Sequence, residues 1–215
     1  MRVGKKPQYL EFNARANCFS EWQLHDWSLN DWLDGSYLML EVGAGTAKVS
    51  LEFARCNPDR QVIALDKKSD RLGKAARVAE SEGLSNIAFV QSDLRELQEL
   101  VDLGGRADHI WVTFPDPYPR DRQEKHRLTY TSMLDIYYQL LKSDGTLEFK
   151  TDNSDLYLYS LDEFTRSSLF EVITSTNDLH NSGVDDTVAL ALTDYEKMFL
   201  LEGLTTKYIK ASRVN

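Results

Sequence analysis

Residues 37–47 read Tyr37-Leu38-Met39-Leu40-Glu41-Val42-Gly43-Ala44-Gly45-Thr46-Ala47. The apolar run predicts a buried strand, and the glycine-rich turn after it predicts the start of a helix. Downstream the same succession continues, with further strands predicted at 61–66, 86–90, 108–112 and 146–151. Such alternation is typical of an α/β protein with a mainly parallel sheet, helices on both faces, and ligands bound at the carboxyl ends of the strands.

The remaining elements complete this prediction. Helices are expected from the turn to about Cys56, from Ser69 as N-cap to about Glu82 with Gly83 closing it, at 94–103 and at 128–141. The C-terminal part predicts a helix at 156–167, a strand at 170–176, a helix at 195–201 and a last strand at 206–211. The last two predicted strands, at 170–176 and 206–211, are separated by a connection that contains a helix and fit an antiparallel hairpin at the edge of the sheet. The expected sheet therefore has seven strands.

Composition sets the class of protein. The 215 residues carry a net charge of −9 and suit one domain, expected at 35–215, after an aromatic-rich N-terminal extension or cap at 1–34 in which Phe19 and Trp22 line a helix face. The sequence predicts a cytoplasmic protein without a membrane partner, because it has no apolar run long enough for a bilayer. Two distant cysteines and four scattered histidines predict no metal site. Monomer and homodimer both stay open.

Acidic residues follow four successive predicted strands. They are Glu41, Asp66, Asp93 and Asp116. Carboxylates accept hydrogen bonds from ribose hydroxyls, as Asp66 is placed to do, or from an adenine amino group, as Asp93 is. Gly43 and Gly45 meet the phosphate-binding pattern only in part, and a pyrophosphate would be repelled by Glu41. S-adenosylmethionine, which is cationic and lacks phosphate, is therefore a better candidate ligand than a dinucleotide such as NAD. The alternative is that these acids are helix caps and solvated turn residues.

A proline-rich loop at 113–127 follows the fourth predicted strand. Its three prolines fix φ and remove backbone donors, which predicts a stiff loop. It carries one carboxylate, Asp116, then the aromatic Tyr118 and the bases Arg120, Arg122, Lys125 and Arg127. The net negative charge disfavours a protein that binds nucleic acid over its whole surface, but it allows this local patch. A stiff connection with solvated charges is the alternative.

These residues resemble the bacterial Rossmann-like tRNA (guanine-N7-)-methyltransferases from the first strand onward. The family's loop resembles Phe-Pro-Asp-Pro-Trp-Pro-Lys followed by Arg-His-x-Lys-Arg-Arg-Leu, and here 114–120 read Phe-Pro-Asp-Pro-Tyr-Pro-Arg and 122–128 read Arg-Gln-Glu-Lys-His-Arg-Leu. Two further signatures match, at 149–153 (Phe-Lys-Thr-Asp-Asn) and at 193–196 (Thr-Asp-Tyr-Glu). The resemblance implies a class I methyltransferase fold and transfer of a methyl group from S-adenosylmethionine to N7 of a variable-loop guanine in tRNA.

The resemblance also implies residue roles. Glu41, Gly43, Gly45, Asp66, Asp93 and Asp116 would bind the cofactor, whose product is S-adenosylhomocysteine, and Asp116 would be catalytic. The residues that would hold the substrate guanine and its neighbours are Arg120, Asp152, Thr193, Tyr195 and Glu196. Apart from the resemblance, the chemistry of the loop predicts that Tyr118 stacks on the base and that Arg122, Lys125 and Arg127 join Arg120 in holding the flanking phosphates. Departures from the family include Asp66 for Glu, Tyr118 for Trp, and Gln123 and His126 for His and Arg, which make the patch less basic.

Three other functions stay open from the sequence. Residues 115–118 (Pro-Asp-Pro-Tyr) partly resemble the Asp-Pro-Pro-Tyr motif that grips an exocyclic amine, which points to an amino-group methyltransferase. The net negative charge favours a small-molecule methyltransferase. Alanine at position 47, in place of a third glycine, is compatible with a non-catalytic nucleotide-binding or tRNA-binding module.

Overall fold

A computed structural model describes residues 11–20, 37–93, 107–185, 189–190, 192 and 194–215. The chain divides into two compact units, Met1–Leu97 and Gln98–Asn215. Each contains strands and helices of its own, so each is an α/β unit.

Four strands are described in the first unit, and their pairings are all parallel. They are β1 (Cys18–Ser20), β2 (Leu38–Val42), β3 (Gln61–Asp66) and β4 (Ile87–Gln91), and they lie in the order β1-β4-β3-β2. Every residue of β2 is buried, as expected for a parallel strand covered on both faces. Because β2, β3 and β4 are parallel neighbours, their carboxyl ends meet at one edge of this sheet.

Two helices of the first unit follow β2 and β3. Helix α1 (Lys48–Cys56) and helix α2 (Ser69–Glu82) each bury an apolar stripe, such as Val49, Leu51 and Phe53 of α1. The prediction that Gly83 closes α2 is confirmed: its φ is 70°, and the next amide, of Leu84, donates to the Ala79 carbonyl at 2.9 Å. The prediction that Ser69 caps the helix is wrong, because the N-cap is Lys68 and has no side-chain cap bond.

The second unit contains the other four described strands. They are β5 (Ala107–Thr113), β6 (Leu141–Thr151), β7 (Phe170–Thr176) and β8 (Lys207–Arg213), in the order β5-β6-β8-β7. β5 and β6 are parallel, whereas β8 is antiparallel to both β6 and β7. The predicted antiparallel hairpin at the C-terminus is therefore confirmed.

Helices of the second unit connect these strands. They are α3 (Thr131–Leu140), α4 (Ser154–Arg166) and α5 (Asp194–Leu201), with a 3₁₀ helix at Asp121–His126 and a single 3₁₀ turn at Leu179–Asn181. The helix predicted at 128–141 begins later because residues 127–130 first leave the 3₁₀ helix in a turn. The core includes Trp111, Tyr137, Phe149 and Tyr208, each at most 1% exposed.

A buried carboxylate joins three strands of the second unit. Glu148 of β6 accepts the Tyr208 hydroxyl at 2.5 Å and lies 2.8 Å from both His109 Nε2 and Lys210 Nζ. Burial alone would raise the pKa of Glu148, but the hydrogen bonds and charges of His109 and Lys210 outweigh it and hold that pKa below its ordinary value. The carboxylate is thus kept ionised inside the sheet.

Two predictions need correction. The described residues hold eight strands rather than seven, because Cys18–Ser20 pairs with β4. Phe19 therefore lies on a strand and not on a helix face of a cap. Of the proposed extension, residues 11–20 are described, whereas residues 1–10 and 21–34 lie outside the described residues, as does the helix predicted at 94–103. Within the described part of the chain, no helix is both long enough and apolar enough to cross a membrane.

Candidate functional site

The glycine-rich turn of the first unit has an unusual backbone. Gly43 and Gly45 have φ of 75° and 57°, and Ala47 has φ of 50°. This left-handed conformation is readily adopted by glycine, whereas a residue with a Cβ loses about 1–2 kcal/mol in it. Ala47 therefore takes the conformation of the missing third glycine at an energetic cost, and it is fully buried.

Glu41 holds this turn against the following helix. Its side chain is 1% exposed, and Oε2 accepts the backbone N–H of Ser50 at 2.9 Å and the Ser50 hydroxyl at 2.5 Å. The negative charge lies in the first turn of α1, where the helix dipole and the free N–H groups favour an anion. Ser50 was not singled out in the sequence, since a serine inside a helix pattern gives no signal of such a contact.

Asp66 joins the glycine-rich turn to α2. Its Oδ2 accepts the backbone N–H of Gly45 at 2.8 Å, and its Oδ1 accepts the backbone N–H of Lys68, also at 2.8 Å. Each carboxylate oxygen has two lone pairs, so each retains one acceptor site for another donor. The shorter side chain of Asp, compared with Glu, suits this close bond to the backbone.

The three acids of the first unit lie at the same sheet edge. Glu41 is in β2, Asp66 ends β3, and Asp93 follows β4 after the buried Ser92. Ser92 is fixed by a bond from its N–H to the Asp66 carbonyl at 3.2 Å, and Asp93 is half-buried. The structure thus brings together three of the residues that the sequence predicts for the cofactor.

In the second unit, the proline-rich loop leaves β5 in a strained conformation. Phe114 and Tyr118 have φ of 45° and 42°, and each precedes a proline. Left-handed backbone costs about 1–3 kcal/mol for a residue other than glycine, and such strain persists only where the surroundings impose it. The Phe114 N–H donates to the Lys150 carbonyl at 2.8 Å. Between the two strained residues, Asp116 is exposed.

Arg127 is directed at this loop. Its Nε and Nη2 donate to the carbonyls of Pro117 and Tyr118 at 3.3 and 3.1 Å. The guanidinium carbon also lies 4.1 Å from the ring centroid of Tyr159 in α4. Neither contact was predicted from the sequence, which assigned Arg127 to a phosphate patch.

The other bases of the loop face solvent. Arg120, Arg122 and Lys125 are exposed, and the last two belong to the 3₁₀ helix, which buries no residue. The half-buried ring of Tyr118 lies 5.6 Å from the His126 ring, tilted by 48°. The loop therefore presents three cations beside an aromatic side chain that already has one ring neighbour.

The signature at 149–153 is mostly structural. The Thr151 hydroxyl accepts the Asn153 N–H at 3.1 Å, and the Asn153 side chain caps α4 by accepting the Leu156 N–H at 2.8 Å. Asp152, between them, is half-buried, and its main-chain carbonyl accepts the Lys207 ammonium at 2.9 Å. Its carboxylate thus lies on a turn that its neighbours hold in place.

Lys150 of the same signature forms a buried ion pair. Its ammonium lies 3.0 Å from Glu196 Oε2 in α5 and donates to the Ala189 carbonyl at 2.7 Å. Glu196 Oε1 accepts the Thr206 hydroxyl at 3.0 Å and lies 2.9 Å from His180 Nε2. Both charged residues are 0% exposed. A lysine in a stretch of strand that is predicted to be buried indicates that a buried partner is needed, but it does not identify that partner.

This burial bears on the C-terminal signature. The Glu196 carboxylate is directed into the interior of the second unit, whereas the sequence assigned it to the substrate. Thr193 lies outside the described residues, and Tyr195 belongs to α5 by its backbone, its side chain not being described.

The described ranges contain no group of three or more His, Cys, Asp or Glu side chains that could hold a metal ion. Burial raises the pKa of the Cys18 thiol to about 12, so this thiol stays protonated at neutral pH.

Comparison with known proteins gives the family. A family model described as "Putative methyltransferase" matches residues 36–208. The tRNA (guanine-N(7)-)-methyltransferase of Brevibacillus brevis is 37% identical over 180 residues, 81% of this chain and 80% of the relative. That of Alkaliphilus oremlandii is 33% identical over 196 residues, 91% of this chain and 88% of the relative.

A solved structure shows the same fold at lower identity. It is a variant of the 16S rRNA (adenine(1408)-N(1))-methyltransferase of Catenulisporales acidiphilia with its cosubstrate S-adenosylmethionine, with a TM-score of 0.60, 18% identity, and coverage of 88% of this chain and 93% of that chain. The likeness confirms the predicted methyltransferase fold. The family model and the two relatives show that the chain belongs to the tRNA (guanine-N(7)-)-methyltransferase family of methyltransferases.

Proposed function

We propose that this protein transfers a methyl group from S-adenosylmethionine to N7 of a guanine in the variable loop of tRNA, leaving S-adenosylhomocysteine. The observation that carries the proposal is the exposed Asp116 between two strained residues of the loop after β5. Strain of this kind is typical of functional sites. Family membership supplies the reaction and the class of substrate.

The first unit supplies the cofactor site in this proposal. Asp66 keeps a free acceptor position on each oxygen for the ribose hydroxyls, and Asp93 accepts the adenine amino group. Glu41 acts indirectly, because its carboxylate is used to fix the turn that carries Gly43 and Gly45. A set of carboxylates suits a donor that is cationic and has no phosphate.

Asp66 gives a first test of this site. Asp66→Ala is expected to weaken S-adenosylmethionine binding by about 10–100-fold, because hydrogen bonds to a charged group contribute about 1.5–3 kcal/mol each and the turn loses its tie through Gly45. Isothermal titration calorimetry measures the Kd. Asp70→Ala, which removes an exposed acid in the first turn of α2, is the control and is expected to bind as the wild type does. An unchanged Kd for Asp66→Ala would exclude Asp66 from the site.

Catalysis is positioning and electrostatic stabilisation in this mechanism. Guanine N7 carries an in-plane lone pair and needs no deprotonation before it attacks the methyl carbon; the N7–C bond forms as the S–C bond breaks, and the sulfonium becomes a neutral sulfide. The purine gains a positive charge. The Asp116 carboxylate accepts hydrogen bonds from guanine N1–H and N2–H, orients the base and stabilises that charge.

The second unit also supplies the tRNA contacts in this proposal. Arg120, Arg122 and Lys125 are exposed and bind backbone phosphates, while Tyr118 offers a flat face to a base and Asp152 a further acceptor. Thr193 and Tyr195 remain candidates from the family resemblance.

The three exposed cations predict a salt effect. Replacing Arg120, Arg122 and Lys125 together by Gln is expected to weaken tRNA binding and to reduce the slope of log K against log salt by about 0.7–0.9 per cation removed. The control variant replaces Arg55, Arg77 and Arg166, which are exposed and already paired with carboxylates of this chain. It removes the same charge and is expected to keep the slope. Equal slopes for both triple variants would contradict a phosphate patch on the loop.

One experiment tests the proposed function itself. The wild-type protein is incubated with methyl-labelled S-adenosylmethionine and bulk tRNA that lacks N7-methylguanosine, and the nucleosides and nuclease fragments are analysed by mass spectrometry. We expect labelled N7-methylguanosine in variable-loop fragments. A label on an exocyclic amino group would replace the proposal by an amino-group methyltransferase, and tight tRNA binding without any label would replace it by a binding module.

A further inference from the structure

The loop that carries Asp116 needs a partner that holds it. Phe114 and Tyr118 are both in left-handed backbone, at a cost of about 1–3 kcal/mol each. Phe114 is held by its bond to the Lys150 carbonyl at 2.8 Å. At the other end, the carbonyls of Pro117 and Tyr118 need donors, and the prolines of the loop supply none.

Arg127 supplies these donors. Nε–H and Nη2–H reach back ten and nine residues to the carbonyls of Pro117 and Tyr118, at 3.3 and 3.1 Å. The Arg127 backbone is itself fixed, since its N–H donates to the Glu124 carbonyl at 2.9 Å and its carbonyl accepts the Tyr130 N–H at 3.1 Å. The side chain therefore extends from an anchored position.

The ring of Tyr159 lies against the guanidinium of Arg127. Its ring centroid lies 4.1 Å from the guanidinium carbon, and it belongs to α4, whose N-terminus is capped by Asn153. Burial first, and then the carboxylates of Glu163 and Glu124, raise the pKa of the Tyr159 phenol, so the ring stays neutral and its face attracts the cation.

We propose that Arg127 is a positioning residue: it fixes the turn around Asp116 from a base formed by Tyr159, and it does not bind tRNA phosphate. The inference rests on the proposed function and revises the role that the sequence assigned to Arg127. Arginine suits this task because its planar fork presents parallel donors and stacks on a ring, whereas lysine offers only a compact charge.

A charge-conserving change separates the two roles. Arg127→Lys keeps the charge that a phosphate contact needs but loses the fork and the stacking. We expect kcat for tRNA methylation to fall by about 10–100-fold through misplacement of Asp116, with KM for tRNA and the salt slope unchanged. Arg166→Lys, an exposed arginine at the end of α4 that pairs with Asp162, is the control and is expected to keep the wild-type kcat. A wild-type kcat for Arg127→Lys, or a loss confined to KM and the salt slope, would overturn the proposal.

Substitutions of Tyr159 give an independent test of the proposal. Tyr159→Phe retains the ring face and is expected to act like the wild type, whereas Tyr159→Leu removes the support and is expected to lower kcat as Arg127→Lys does. Because both residues act through one contact, the double variant Arg127→Lys with Tyr159→Leu is expected to be no slower than the slower single variant. Multiplying effects in the double variant would show that the two residues act separately and would contradict the inference.

Amide hydrogen exchange measures how firmly the loop backbone is held, and it needs no substrate. The amides of Asp116 and Tyr118 are expected to exchange faster in Arg127→Lys than in the wild type and in Arg166→Lys, while the amides of β6 keep their protection. If the wild-type protein forms no N7-methylguanosine, the proposed function fails and this measurement still decides the role of Arg127. If the exchange rates of the Asp116 and Tyr118 amides are unchanged in Arg127→Lys, the positioning role of Arg127 is refuted even in an active enzyme.

Discussion

Replacing Asp116 by asparagine is expected to lower kcat for tRNA methylation by about 10²–10³-fold, the usual effect of removing one electrostatic stabiliser of a transition state. The amide has the shape of the carboxylate but no charge. In place of the second oxygen it carries an NH2 group, which only donates, so guanine N1–H and N2–H no longer face two acceptor oxygens. The measurement is single-turnover methylation with labelled S-adenosylmethionine, which reports the chemical step apart from product release.

The structure predicts that this loss is confined to chemistry. Asp116 is exposed, and the backbone around it is held by Lys150 and Arg127 rather than by its own side chain. The melting temperature should therefore stay near the wild-type value. Asp121→Asn removes an exposed carboxylate five residues later and is expected to leave kcat unchanged. Turnover of Asp116→Asn at the wild-type rate would exclude this carboxylate from catalysis.

Replacing Glu196 by alanine is expected to lower the free energy of unfolding by about 3–5 kcal/mol, because it leaves the Lys150 ammonium buried without its counter-charge. The change also removes the acceptor of the Thr206 hydroxyl. Denaturant titration followed by circular dichroism gives the midpoint. Glu202→Ala, an exposed acid just after α5, is expected to change stability by less than about 0.5 kcal/mol.

A double variant distinguishes stability from substrate binding. Lys150→Met together with Glu196→Leu removes both charges and is expected to recover most of the lost stability, since apolar pairs of similar volume often replace buried ion pairs at little cost. The contrary result is that Glu196→Ala keeps the wild-type midpoint of denaturant unfolding and loses tRNA binding. That result would show that the carboxylate contacts the substrate, as the family resemblance implies, and that its ion pair with Lys150 is not its main role.

Much of the fold could be predicted because buried strands are continuous apolar runs. β3 and β7 have the bounds that the sequence predicts. β6 begins at Leu141, whereas the sequence predicted a start at residue 146. The prediction missed the first part because Lys142 to Asp144 are polar and give no strand signal. Gly145 explains how this part fits: a Cβ there would meet Leu141 Cδ2 at 2.8 Å and the Ala107 carbonyl at 3.1 Å. The 3₁₀ helix buries no residue, so it left no periodic pattern to detect.

The site was predictable where topology decides it. Acids that end neighbouring parallel strands must meet at one edge, which is why Glu41, Asp66 and Asp93 could be grouped from the sequence. Contacts between distant segments could not be derived in this way. Lys150 and Glu196 are 46 residues apart, and Arg127 and Tyr159 are 32 apart, so only the packed chain shows that one pair is buried and the other supports a loop.

Lys150 has a consequence for exchange of parts between relatives. Its main-chain carbonyl holds the first strained residue of the Asp116 loop, and its ammonium holds the acid of the C-terminal signature. Two motifs that look independent along the chain are thus joined through one residue of β6. In a chimeric enzyme, the loop, this strand and the C-terminal helix should therefore be transferred together. A graft that carries only one of them would separate the residues proposed to bind substrate from Lys150, which contacts both motifs.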